Sequence, residues 1–164
     1  MFSSYEININ KIKNNQKIKN AAFSLLSYRA RSKSELLLRL RKKYRLNDIK
    51  DVINELELKG YINDVEFTEM YAASLIKNKL FSRRAVKHKL QTHDISNEIL
   101  DPILDNLYSQ NDEKKLIKRI ITKKLRSKTK ISKSEIDKLT IYLKIKGFHW
   151  NDIMVVLIEL NLSL

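Results

Sequence analysis

Serine stands at positions 32, 82 and 132, at intervals of fifty residues. An aliphatic residue follows four places later each time: Leu36, Val86 and Ile136. A hydroxyl just before an apolar-periodic run marks a helix start, because its oxygen accepts a backbone N–H that the first turn leaves unpaired. The first and third copies share the string Ser-Lys-Ser-Glu, at Ser32–Glu35 and Ser132–Glu135. In the first copy the Glu three residues after Ser32 completes the capping-box pattern. Ser82, within Phe81-Ser82-Arg83-Arg84, holds the place in the middle. Three evenly spaced helix starts predict three similar helical units.

The turn residues agree. Two glycines and one proline interrupt 164 residues, too few for the tight turns that strands need. Apolar residues fall at helical spacing in Ile49, Val52, Ile53, Leu56 and again in Ile153, Val156, Leu157, Leu160. Leu116, Ile117, Ile120 and Ile121 form a third stripe, continued by Leu125. Phe67, Tyr71 and Leu75, joined by Met70, form a fourth. Asn47-Asp48 and Asn151-Asp152 read as N-terminal caps, and Gly60 and Gly147 as C-terminal stops. Helices are predicted at 17–28, 33–43, 47–59, 64–79, 83–91, 96–108, 113–126, 134–146 and 151–161. Pro102 should kink the sixth, since Ile99, Ile103 and Leu107 keep one face through it. Tyr5, Ile7 and Ile9 alternate as a short strand would, but residues 1–16 read better as a frayed, mobile extension. The expected fold is all-α: three tandem three-helix repeats, 17–62, 63–110 and 111–164, stacked into an elongated, curved array.

Composition excludes several functions. There is no cysteine, so disulfides and thiolate metal sites are out. His88, His93 and His149 lack ligand partners at helical spacing. No Gly-rich phosphate loop and no nucleophile elbow occur. The acids are scattered opposite the apolar stripes, so neither an enzyme nor a cofactor is expected. No apolar leader or span is visible, which makes the cytoplasm the expected location.

The formal charge is +14, and so basic a chain usually meets a polyanion. Its cations cluster. Arg29 to Arg45 contains one acid, Glu35; Met70 to His93 contains none; Lys114 to Ser134 holds ten Lys or Arg and no acid. Each predicted repeat thus carries one basic region, against the plain alternative of three solvated helix faces. The candidate contacts are Tyr28, Arg29 and Arg31 in the first, Arg83, Arg84, Lys87 and Lys89 in the second, and Lys115, Lys118, Arg119, Lys123 and Arg126 in the third. Tyr61, Phe67, Tyr71, Phe81, Phe148 and Trp150 read as core.

Two strings carry a resemblance. Leu26 to Leu40, LSYRARSKSELLLRL, resembles the first-repeat signature of the RecX family. Leu56 to Tyr71, LELKGYINDVEFTEMY, resembles its repeat junction, and Lys146 to Leu160 its last helix. Ala30 stands where that family usually has proline, and Leu75 where an arginine often follows Ser74. Thr68 replaces a common alanine, and Lys43-Tyr44 and Thr92-His93 replace glycine turns. The resemblance implies a non-enzymatic, monomeric modulator of the RecA recombinase. It would lie in the helical groove of the RecA filament on single-stranded DNA and restrain strand exchange, ATP hydrolysis and filament extension. Direct, weak DNA binding would accompany this, with no membrane partner. The residues alone leave a second reading open, a basic nucleic-acid-binding module without a dedicated protein target.

Overall fold

The computed structural model describes residues 4–126 and 131–162. Among these residues there are nine α-helices and no strand. They are α1 (Ser4–Tyr28), α2 (Lys33–Leu40), α3 (Leu46–Leu58), α4 (Asp64–Lys79), α5 (Arg83–Gln91), α6 (Asn97–Gln110), α7 (Glu113–Leu125), α8 (Lys133–Ile145) and α9 (Trp150–Glu159). The chain divides into two compact units. The first takes the described residues up to Phe67 with His93–Ile95; the second takes Thr68–Thr92 and the residues from Ser96 onward.

In the first unit, α1, α2 and α3 pack on one another. Their core is Ile18, Ala22, Leu36, Leu40, Ile49, Val52, Ile53, Leu56 and Ile62. Each fully buried Leu or Ile contributes about 1.5–3 kcal/mol. The expected strand or frayed end at Tyr5, Ile7 and Ile9 is not found: α1 already runs from Ser4. Polar contacts with α3 hold its early turns, Lys11 to Asp51 at 3.2 Å and Asn14 to Asp48 at 2.8 Å. Asp48 therefore serves α1 rather than capping α3. Arg45 takes the cap position there without a side-chain bond, and His149, not Asn151, precedes α9.

In the second unit, α5 packs on α6, and α9 on both α7 and α8. Leu116, Ile117, Ile120 and Ile121 are all buried, as are Ile153, Val156 and Leu157. Helix α6 continues through Pro102 to Gln110. Of the α4 residues in this unit, Thr68, Ala72, Leu75 and Ile76 are buried; Met70 is exposed, contrary to expectation. Trp150 here, and Tyr61 in the first unit, are surface residues rather than core. Gly147 ends α8 at φ +90, and the Phe148 N–H reaches back to the Leu143 carbonyl at 3.2 Å, a left-handed helix stop.

The three serines cap α2, α5 and α8 from extended backbone. Ser32 Oγ accepts the Glu35 N–H, and Ser82 Oγ the Ala85 N–H, each at 3.2 Å. Both serines are buried, while Ser132 is exposed. The two buried sites have parallel further contacts, each to its own partners. The Lys33 N–H donates to Asp64 at the start of α4 (2.8 Å), and the Arg83 N–H to Glu113 at the start of α7 (2.6 Å). The Ser32 hydroxyl donates to the His93 carbonyl at 3.2 Å, and the Ser82 N–H to the Lys146 carbonyl at 3.1 Å. The capping box forms in the third copy instead of the first. The Glu135 carboxylate accepts the Ser132 N–H at 2.9 Å, whereas Glu35 is drawn to arginines.

Candidate interaction surface

The three basic stretches differ in how far the fold neutralises them. In the first, Glu35 gathers three guanidiniums on one carboxylate oxygen. Arg29 donates to it at 2.6 Å, Arg39 at 3.0 Å, and Arg31 donates as well. Burial raises the Glu35 pKa, but the hydrogen bonds and charges of Arg29, Arg39 and Arg31 outweigh it and hold the carboxyl below its ordinary value. Arg31 is only 6% exposed, and its Nε donates to the Leu25 carbonyl at 3.0 Å. It joins the end of α1 to α2 and has no free surface for a partner. Tyr28 is the opposite, 83% exposed at the end of α1.

In the second stretch α6 answers α5. Arg83 pairs with Asp105 at 2.5 Å and lies 3.9 Å from Asp101. Lys87 pairs with Asp101 at 2.6 Å. Lys89 stands over the Phe81 ring, 4.9 Å from its centroid. Arg84 is exposed and, among the described residues, has no ion-pair partner.

The third stretch lies on α7. Asp112 starts this helix by accepting the Lys114 N–H at 2.7 Å and the Lys115 N–H at 3.3 Å. The aliphatic stripe faces the core, so Lys115, Lys118, Arg119, Lys123 and Arg126 are left on the exposed side. Their spacing of three and four residues makes a continuous stripe roughly 17 Å long at 1.5 Å rise per residue. With Thr122 they line a shallow depression of about 610 Å³. Among the described residues none of the five has an ion-pair partner. Like charges 6 Å apart in water repel by about 0.7 kcal/mol, so an anion that neutralises the stripe relieves several such terms. Lys128 and Lys130, part of the same basic run, lie outside the described residues.

Thr122 is not among the contacts expected from the sequence, nor are the cations Arg39, Lys42 and Lys43, which line a second depression in the first unit. The signal for the latter was the unbroken run Arg41-Lys42-Lys43. Among the described residues no helix is long and apolar enough to cross a membrane.

Comparison with known proteins points in one direction. Residues 19–56 match the family model described as RecX, first three-helix domain. Regulatory protein RecX of Caldanaerobacter subterraneus subsp. tengcongensis is 29% identical over 136 residues, covering 82% of this chain and 66% of the relative. Regulatory protein RecX of Listeria welshimeri is 28% identical over 130 residues, covering 79% and 48%. The matched part thus spans about half to two thirds of these relatives' length. The crystal structure of RecX from Lactobacillus salivarius superposes with a TM-score of 0.74 at 25% identity, covering 93% of this chain and 99% of that one. A second solved structure, of regulatory protein RecX, shares the fold with a TM-score of 0.76 at 18% identity.

Proposed function

We propose that this chain, which belongs to the RecX family, binds the RecA filament on single-stranded DNA in its helical groove and restrains strand exchange, ATP hydrolysis and filament extension. It acts as a monomer in the cytoplasm, without a cofactor. The observation that carries the reading on this chain is the α7 stripe, five exposed cations with no ion-pair partner among the described residues. Such a stripe suits acidic groove walls or phosphates at the filament. Arg84 and Tyr28 are accessory contacts; Arg31 is set aside because it is buried.

The test is a purified reaction of RecA, single-stranded DNA and this chain. Strand exchange and DNA-stimulated ATP hydrolysis should fall at stoichiometric protein. K118E/R119E/K123E should weaken inhibition with helicity unchanged, because these residues lie off the buried stripe. No inhibition by the parent chain refutes the reading, and full inhibition by the variant refutes the role of α7.

The same stripe favours the second reading, a nucleic-acid-binding module. Five contacts to single-strand phosphates give a slope of about −3.5 in log K against log salt. Filament binding that persists at salt sufficient to abolish free-DNA binding selects the protein target.

A further inference from the structure

The first unit carries a cleft that the α7 reading does not use. It lies between α1 and the end of α2, with a volume of about 410 Å³, within the range of ligand-binding clefts, about 300–1,000 Å³. Its floor is apolar: Ala21 and Leu25 from α1, with Leu40 and Tyr44 from α2 and the turn after it. Leu40 is buried and the other three are half-buried. Its rim is cationic. Lys42 and Lys43 are exposed and, among the described residues, have no ion-pair partner. Arg39 also lines the cleft, tied to Glu35 through its Nε.

A cation or two at a helix C-terminus complements the backbone dipole. Here five of the seven residues from Arg39 to Arg45 are cationic, more than the dipole calls for. Neither does helix capping explain an open apolar floor beneath them. An aliphatic floor with a basic rim has a definite complement. Bases stack on aromatic or guanidinium planes, and the only aromatic lining this cleft is the half-buried Tyr44. An aliphatic side chain fits the floor, and carboxylates beside it meet the rim.

We infer that this cleft docks an acidic peptide segment of a partner protein, with one aliphatic anchor seated between α1 and α2 and flanking carboxylates on Lys42, Lys43 and Arg39. Apolar burial and charge act together at such a site, so both are required for tight binding.

The probe is a short fluorescent peptide of Glu and Asp around one central Leu, titrated by anisotropy against the full chain at low salt. Replacing the peptide's Leu by Ser should weaken binding about tenfold or more. K42E/K43E should weaken it to a similar degree, and these exposed positions leave the fold intact. Ala21→Leu, which narrows the floor, should do the same, with helicity checked by circular dichroism. An oligothymidylate of matching charge should not displace the peptide. Equal binding of the Ser peptide reduces the site to net charge and overturns the inference. So does K42E/K43E binding like the parent, and so does displacement by the oligonucleotide, which makes the cleft a nucleic-acid site. The inference is separable from the α7 reading. K118E/R119E/K123E should keep the peptide while losing filament inhibition, and loss of the peptide in that variant overturns the assignment to this cleft.

Discussion

Of the two glycines, Gly147 is the one where an added methyl group should do more damage. Its φ is +90, a conformation that disfavours any residue with a Cβ by about 1–2 kcal/mol. Its surroundings add a second term. An alanine Cβ would sit 2.4 Å from Ser82 Oγ, 2.7 Å from Ala85 Cβ and 3.2 Å from the Ala85 backbone nitrogen. Ser82 cannot swing aside freely, because it is buried and its oxygen holds the Ala85 N–H. Forcing an extra carbon into such packing costs about 1–3 kcal/mol. Gly147→Ala should therefore lose about 2–5 kcal/mol. Gly60 is the internal control. It has φ +75 with nothing within 4 Å of the added Cβ, so Gly60→Ala should lose only the conformational part, about 1–2 kcal/mol. Urea melts followed by helicity compare the two variants. The single Trp, Trp150, lies three residues beyond Gly147 and reports the same turn by fluorescence. Equal midpoint shifts for the two variants would refute the close approach of the α8 stop to the α5 cap.

The serine caps make a graded series. Ser32→Ala and Ser82→Ala each remove a buried cap and should cost about 2 kcal/mol, whereas exposed Ser132→Ala should cost about 0.5 kcal/mol in the same melts. Equal losses across the series would show that burial adds nothing. Glu35 predicts a pH dependence. Its folded pKa lies below the ordinary 4.5, so the arginine cluster contributes stability above that value and loses it as pH falls through the lower folded pKa. Thermal melts from neutral to acid pH should show this loss in the parent. Glu35→Gln should flatten it, while starting lower at neutral pH because buried Arg31 has lost its carboxylate.

Much of the fold was legible because its signals are local. Ile49, Val52, Ile53 and Leu56 follow the helical period, and the structure buries all four. The ends of α4 and α5 fall at the predicted residues, since Ser82 and the turn before it act within a few positions. What escaped depends on distant partners. The early turns of α1 leave Ile9 36% and Ile12 62% exposed, so no buried apolar stripe announces them. Their polar partners, Asp48 and Asp51, lie more than thirty residues away. Asp48 has the right chemistry for a cap, yet Asn14 claims it. Met70 lies three residues from Phe67, a spacing compatible with one helical face. On α4 the neighbours Thr68, Ala72 and Ile76 turn that face the other way.

The candidate surface was legible as charge but not as available charge. Three basic runs look alike along the chain, yet neutralisation is decided by acids elsewhere in it. Arg83 meets Asp105 twenty-two residues on, and Lys87 meets Asp101 fourteen residues on. No local count reveals these pairings. The α7 cations have no such acid among the described residues, since Glu113 at the start of α7 accepts the Arg83 N–H. The consequence is energetic. A polyanion approaching Arg83 must displace an existing carboxylate, so the exchange is close to neutral. One approaching Lys118 or Arg119 displaces only water and counterions, whose release drives association. Equal runs of lysine and arginine thus leave unequal free charge: α5 pairs Arg83 and Lys87 with α6, and the cations of α7 stay unpaired among the described residues.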